Sequence, residues 1–317
     1  MAKRVFILLV AAGMILAGCS GQQGKESQHK SVATMRIAAI LPIDSGYYWE
    51  GIKSGLMSGA EGLDVDIKVS CPDTGFDIHQ MAGLVKAATA ARVDAIVVQG
   101  ADNAGYIDAL KEASEKGILV ACVDTDIAGF PRSLYVGTDN YGAGRLMAEK
   151  LAAMAGGQAN VVALMGGEGF PNLDSRLEGF RDGIAEFDGI RLVDVKRTDF
   201  SVLATIEIFR DILEEEPAVD AIVSLDGSGG AAFASAIGPS GPSPVKILCF
   251  DMSQDVRMAI RNGIIDGTIV QSQVEMGEKT TQELHRYFIG QQSLPTAVYT
   301  DISFVTAAEL EDPAYGS

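Results

Sequence analysis

The sequence predicts an α/β protein built from two doubly wound parallel sheets that face one another across a cleft. Three observations predict it. Short apolar runs alternate with longer stretches of helical periodicity, the signature of βαβ units. The apolar runs are continuous rather than alternating, as in parallel strands covered by helices on both faces. About 280 residues follow residue 34, more than one core usually holds, so two domains are expected.

The elements follow in order. A strand over 35–41 stops at Pro42-Ile43-Asp44-Ser45, and a helical pattern runs over 49–60. A strand over 65–70 precedes a helix over 78–90. The run 95–98 ends at Gln99-Gly100-Ala101-Asp102, followed by a helix over 104–116. The run 118–123 ends at Asp124-Thr125-Asp126, with a helix over 141–154 further on. The second half repeats the theme. Strand 160–164 is followed by Gly166-Gly167-Glu168 and a helix over 176–187, and strand 191–196 by a helix over 202–214. Strand 221–225 ends at Asp226-Gly227-Ser228, where the glycine-rich stretch reads as a tight turn into a helix. Strand 246–250 ends at Asp251-Met252-Ser253 with a helix over 256–261, and strand 268–270 precedes a helix over 277–288. Six of these strands give way at once to small, polar or acidic clusters, three in each half. In open α/β sheets ligands bind beyond the carboxyl ends of the strands.

The chain opens on a basic start, Lys3-Arg4, and an apolar run over 5–16, too short and too early for a membrane span. This is a signal peptide over 1–18. Its end, Leu16-Ala17-Gly18-Cys19, resembles the bacterial lipobox, which implies cleavage before Cys19 and lipidation of that cysteine. The protein is then expected outside the cytoplasm, periplasmic or on the cell surface, anchored through Cys19 by acyl chains. Residues 19–34 are small and polar with no apolar period, a flexible tether.

The formal charge is −17, and removing Lys3 and Arg4 with the leader takes it to about −19. Such a surface repels phosphate backbones and argues against nucleic acid as a partner. Cys71, Cys122 and Cys249 remain after Cys19, an odd number that cannot pair completely. His29, His79 and His285 are far apart and none has a partner at metal-ligand spacing. No metal and no cofactor are expected.

Five segments add a family resemblance: Tyr47-Tyr48-Trp49-Glu50-Gly51-Ile52-Lys53-Ser54-Gly55, Gly137-Thr138-Asp139-Asn140-Tyr141-Gly142-Ala143-Gly144, Arg176-Leu177-Glu178-Gly179-Phe180, Cys249-Phe250-Asp251 and Gly267-Thr268-Ile269-Val270-Gln271. In that order and spacing the chain resembles the bacterial sugar-binding proteins of the ribose-binding type, the type I solute receptors of ABC importers. The resemblance covers nearly all of residues 35–305. It implies two lobes joined by a three-strand hinge, with crossings near 136–139, 271–274 and 294–298. The first lobe would hold 35–137 plus 272–293, the second 138–271 plus 294–310. The hinge lets the lobes close on a ligand.

The same resemblance assigns ligand-binding residues. Tyr48 and Trp49 would stack on the C–H face of a sugar ring, since an aromatic face is slightly negative. Asp124 and Asp251 would accept hydrogen bonds from hydroxyls. Arg176 would bridge a ring oxygen and a hydroxyl and neutralise Asp124 across the cleft. Gln271, at a crossing, offers both donor and acceptor. Gln99 and Asp226 stand where the family often has Asn, and Phe200 would form a second aromatic wall. The chain departs from the ribose receptors in having Thr125 where they carry Arg, Gly46 for an Asn, and Asp226 for an Asn. With three acids facing Arg176, the resemblance implies a sugar, polyol or other donor-rich polar ring rather than ribose itself.

An enzyme is not expected. No GxSxG elbow or GxxxxGK[ST] loop occurs. A transcription regulator on this fold would need a helix-turn-helix where the leader lies. The implied function is capture of a sugar or polyol by a monomer and its delivery to an ABC permease. The alternative is a receptor that presents its closed form to a membrane histidine kinase or chemoreceptor.

Overall fold

The structure, a computed structural model, describes residues 33–311 apart from 74, 199, 216, 217, 238–242 and 244. The leader 1–18, Cys19 and the tether up to residue 32 lie outside the described residues. In chain order the elements are β1 (Met35–Ile40), α1 (Tyr47–Ser58), β2 (Val65–Ser70), α2 (Ile78–Ala90), β3 (Ala95–Val98), α3 (Ala104–Glu115), β4 (Leu119–Val123) and β5 (Leu134–Thr138). Then come α4 (Asn140–Met154), β6 (Gln158–Met165), α5 (Pro171–Ile184), β7 (Gly189–Arg197), α6 (Val202–Glu215), β8 (Ala221–Ser224), α7 (Ser228–Ile237), β9 (Lys246–Phe250), α8 (Gln254–Arg261) and β10 (Gly267–Gln271). Last are α9 (Gln273–Phe288), β11 (Ala297–Thr300), β12 (Ile302–Val305) and a short 3-10 turn at Glu309–Glu311.

These strands make two six-stranded sheets, ordered β2-β1-β3-β4-β5-β11 and β7-β6-β8-β9-β10-β12. The pairings are parallel except that β12 runs antiparallel to β10. The continuous apolar runs follow from burial on both faces. Ala95 and Val97 of β3 pack into one layer, Ile96 and Val98 into the other. In the second sheet, Val161, Ala163 and Met165 of β6 face one layer, and Val162 and Leu164 face the other. Cys122 and Cys249 are buried, unpaired thiols in these strands. Burial pushes the Cys249 thiol up to about 12 and raises that of Cys122 as well.

The chain passes between the sheets three times. It leaves the first after β5 and returns after β10. The third crossing falls at Asp301, between β11 and β12, not at 294–298. Residues 297–300, expected in the second lobe, pair with Tyr135–Thr138 in the first sheet. Without β11 the backbone of β5 would be an open edge. The three crossings are bonded together. Thr138 Oγ1 donates to Gln271 Oε1 at 2.8 Å, Ser272 Oγ to the Asp301 carbonyl at 2.8 Å, and Thr300 Oγ1 to the Gly137 carbonyl at 3.4 Å.

Each lobe locks a helix that follows a crossing onto the helix that follows its first strand. In the first lobe α9 lies on α1, and in the second α4 lies on α5. Both contacts need glycine. A Cβ at Gly55 would sit 1.9 Å from the Val274 carbonyl oxygen, and one at Gly144 would sit 2.1 Å from that of Arg176. Two helix starts differ most from expectation. α5 starts at Pro171 rather than 176, because proline at the first helical position lacks only an N–H that would be unpaired there anyway. α9 starts at Gln273 rather than 277, because Gly277 is a packing site against the Ile52 carbonyl, not a break.

Candidate functional site

A cleft of about 680 Å³ lies at the carboxyl ends of the strands of both sheets. Tyr48, Trp49, Gln99, Asp124, Arg176, Phe200, Asp226, Asp251 and Gln271 all line it. The topology brings them there: α1 supplies Tyr48 and Trp49, the end of β3 supplies Gln99, and the ends of β4 and β9 supply Asp124 and Asp251.

Asp124 is buried and held by three donors. Tyr48 Oη donates to Oδ1 at 2.5 Å, while Thr125 Oγ1 at 2.7 Å and Gln99 Nε2 at 3.3 Å donate to Oδ2. Tyr48, expected only to stack, therefore also positions this carboxylate. Burial, and next the Asp124 charge, push the Tyr48 phenol well above its usual range, so it stays a donor. Trp49 meets Tyr48 edge-on, with ring centroids 5.5 Å apart, and also packs on the first lobe's core.

Arg176 sits one turn into α5 and is buried. Its Nε donates to Asn140 Oδ1 at 2.7 Å, one terminal nitrogen to the Leu225 carbonyl at 2.9 Å, and the other to Gln271 Oε1 at 2.7 Å. Its guanidinium carbon lies 4.1 Å from the Phe250 ring centroid, a cation–π contact. The expected ion pair with Asp124 is not made. The fork is occupied by neutral acceptors that fix its orientation, and two of its five N–H groups have no acceptor among the described residues.

Gln271 joins the crossings to the site. Its Oε1 accepts from Arg176 and Thr138, and its Nε2 donates to Asp251 Oδ1 at 2.9 Å. Burial pushes the Asp251 carboxyl up to about 6. Arg176 and the Gln271 bond oppose that rise, while Asp124 and Asp226 add to it. Asp226 Oδ1 accepts from the Ser228 amide at 2.8 Å and its hydroxyl at 2.5 Å. Among the described residues, Oδ2 of Asp226 and Oδ2 of Asp251 accept no hydrogen bond.

Asp124, Phe200 and Asp251 have φ of 67°, 64° and 67°. Such left-handed backbone is sparsely populated outside glycine and clusters at functional sites. At Phe200 the turn lays the ring over Gly166, where any Cβ would overlap it. Several lining residues were not expected from sequence. Asn172, in the first turn of α5, has a buried Oδ1 with no partner. Phe76 and Phe170 face one another at the mouth, and Asn140 orients Arg176 from behind. The capping pattern of Asp139 and Asn140 at the start of α4 signals a helix, not a contact 36 residues away. Among the described residues, no group of His, Cys, Asp and Glu is placed to hold a metal ion, and no helix is long and apolar enough to cross a membrane.

Two hinged α/β lobes with polar groups converging on a cleft between them define a class of ligand-gripping receptor. Residues 37–292 match the periplasmic binding protein domain, and the chain belongs to that family. It is a solute-binding protein of the ABC-importer type, not an enzyme, and the family works outside the cytoplasm. The chain is similar to the D-apiose import binding protein of Paraburkholderia graminis, 24% identical over 97% of this chain and 96% of the relative. It is also similar to the ribose import binding protein RbsB of Escherichia coli, 21% identical over 83% of this chain and 88% of the relative. Among solved structures, GanP, a glucose-galactose binding protein from Geobacillus stearothermophilus, superposes with a TM-score of 0.82 at 27% identity. That match covers 87% of this chain and 99% of GanP. A solute-binding protein from Burkholderia graminis in complex with D-arabinose superposes at 0.83 and 24% identity, covering 89% and 99%. At that identity the likeness is one of fold.

Proposed function

We propose that this protein captures a sugar or related polyol between its lobes and delivers it to an ABC permease. The observation that carries the reading is the convergence of three carboxylates, one half-satisfied guanidinium and two side-chain amides from both lobes on a cleft flanked by aromatic rings. Oδ2 of Asp226 and Oδ2 of Asp251 accept from ligand hydroxyls, and the two spare N–H groups of Arg176 donate to ligand oxygens. Tyr48, Trp49 and Phe200 cover the C–H faces of the ring. Closure removes water, so any hydroxyl left unpaired is penalised, which supplies stereochemical choice. Import is favoured over presentation to a membrane sensor because relatives named for import align with most of the chain.

The test is a thermal-shift screen over sugars, polyols, amino sugars and nucleosides. A ligand that binds only the folded form at a hundred times its Kd stabilises by about 2.7 kcal/mol, a shift of several degrees. A screen in which no sugar or polyol raises the Tm, on protein shown to carry none over from purification, rejects the reading. We also infer that the mature chain starts at Cys19, is lipid-anchored there and acts as a monomer. The parent should take up a fatty-acid label that a Cys19→Ala chain does not, and equal labelling of the two overturns the anchor.

A further inference from the structure

We propose that Phe76 and Phe170 form an aromatic gate across the cleft mouth that limits the size of the ligand and slows its release. The proposal rests on the sugar-capture reading for its ligand.

The two rings come from opposite lobes. Phe76 lies between β2 and α2 of the first lobe. Phe170 stands immediately before α5 of the second. Their centroids are 6.1 Å apart at 52°, within the range of a favourable aromatic pair. Both line the cleft. Arg176 and Gln271 at the floor are 3% exposed, whereas Phe76 is 51% exposed and stands at the mouth, and Phe170 is half-buried, rooted on the second lobe's core. Phe170 also meets Phe200 edge-on, with centroids 5.1 Å apart at 80°. The chain Phe76–Phe170–Phe200 thus runs from the first lobe's lip to the aromatic wall assigned to the ligand.

Local chemistry says the gate is placed, not incidental. Phe170 occupies the N-cap of α5 and makes no side-chain cap bond. Helix stability favours Ser, Thr, Asp or Asn at that position. An aromatic residue where the helix wants a cap is a local conflict, and such conflicts collect at functional positions. Phe76 is held from both sides. Asp77 caps α2 by accepting from the His79 and Gln80 amides at 2.9 and 3.0 Å, and the Asp73 amide donates to Gln80 Oε1 at 3.0 Å. The ring is therefore presented by a braced turn.

A closed pair of rings admits what fits beneath it. A single sugar ring is enclosed, while a glycoside with a bulky group on the ring's outward side has to push the rings apart. The pair also exists only when the lobes are shut, so it slows opening.

The test uses Phe76→Ala, Phe170→Leu and the double variant. Phe170→Asn trades ring packing on the second lobe's core for a cap, so Phe170→Leu, which keeps apolar packing without the ring, separates gate loss from misfolding. Release of D-glucose, D-galactose and D-ribose is followed by stopped-flow Trp49 fluorescence, and each sugar's phenyl β-glycoside is screened beside it. For a sugar that binds the parent, each single variant should release it about tenfold faster, the double variant should be no faster than the singles combined, and the phenyl glycoside should bind only the variants. Unchanged release rates, or a parent that binds the phenyl glycoside as well as the sugar, overturn the gate. Small-angle scattering of the ligand-free proteins gives a readout that needs no sugar. The double variant should have a larger radius of gyration than the parent, and equal radii also overturn the gate. If no sugar binds the parent, the capture reading fails while the scattering still decides the gate.

Discussion

The two lobes build the same turn but satisfy its carboxylate to different degrees. Asp124 and Asp251 each follow the fourth strand of their sheet, β4 and β9. Each has φ 67°. Each donates its amide to the neighbouring strand, to the Val136 carbonyl at 2.9 Å and the Ile269 carbonyl at 2.8 Å. Each carbonyl accepts a hydroxyl from that strand, Tyr135 Oη at 2.9 Å and Thr268 Oγ1 at 2.8 Å. The backbones are equivalent, but the carboxylates are not. Among the described residues, the Asp124 carboxylate accepts from Tyr48, Thr125 and Gln99, whereas that of Asp251 accepts only from Gln271. The first lobe holds a finished acceptor that orients, and the second an unfinished one that the ligand completes. The difference lies in the side chains around each turn, not in the turn itself.

The largest expected effect removes the cation of the cleft. Arg176→Ala should weaken sugar binding by about 2–5 kcal/mol, since the ligand loses two charged donors and Asp251 loses the positive charge that opposes the rise of its carboxyl. Calorimetric titration with the sugar found by screening measures it. A loss below tenfold would mean the ligand does not depend on Arg176. Next come the glycine contacts that seat the ligand-bearing helices. Gly144→Ala and Gly55→Ala should each lower stability by about 1–3 kcal/mol through overpacking. Gly144→Ala pushes directly on the backbone of Arg176, whereas Gly55→Ala pushes on Val274 from the end of α1 remote from Tyr48 and Trp49, so Gly144→Ala should weaken binding the more. Equal binding losses would contradict the assignment of Arg176 to the ligand.

Much of this frame was legible in the sequence, for physical reasons. Strands buried on both faces leave unbroken apolar runs, and the clusters after Val98, Val123 and Phe250 mark the strand ends where Gln99, Asp124 and Asp251 now line one cleft. The rest depends on pairing over long distances. Phe76 and Phe170 meet across the lobes, and no periodicity reports a contact between two loops 94 residues apart. β11 is a short, half-exposed strand without a distinctive pattern, placed by the open edge it covers. The Tyr48 bond to Asp124 hides behind a residue type that reads as a stacking ring. An arginine facing several acids suggests an ion pair, but the planar fork of Arg176 is taken up by Asn140, Leu225 and Gln271, whose convergence only the folded chain creates.

Replacing each acid by its amide sharpens the comparison. Asn at 124 puts an NH2 where an oxygen accepted from Tyr48 or from Thr125 and Gln99. At least one buried donor is stranded, at a cost of about 1–3 kcal/mol. At about 2–4 °C per kcal/mol for a chain of this size, the Tm of Asp124→Asn should fall by several degrees at pH 7. Asn at 251 keeps an acceptor for Gln271, tolerates the left-handed φ and removes a charge that burial disfavours. Its Tm should stay level or rise. Differential scanning calorimetry of the two ligand-free variants decides it, and equal losses would erase the asymmetry.

The smallest effect is a matter of pH. The folded carboxyl of Asp251 titrates near 6, while in the unfolded chain it titrates near its usual value of about 3.9. Between those values the native state binds more protons than the unfolded one, so this group makes the protein more stable as pH falls through the window. From pH 7 to pH 5 its contribution is about 1 kcal/mol. Carboxylates held below their usual range, such as Asp77 by the Gln80 amide and Asp194 by Lys196, act in the opposite sense and at lower pH. The informative quantity is therefore the parent's stability curve minus that of Asp251→Asn. Ligand affinity should move the other way. A hydroxyl donating to Asp251 competes with its proton, so binding should weaken below pH 6 in the parent and stay flat in the variant. Titrations from pH 5 to pH 8 would show it. The same slope in both proteins would mean that Asp251 is no less satisfied than Asp124, and that the two lobes hold their acids alike.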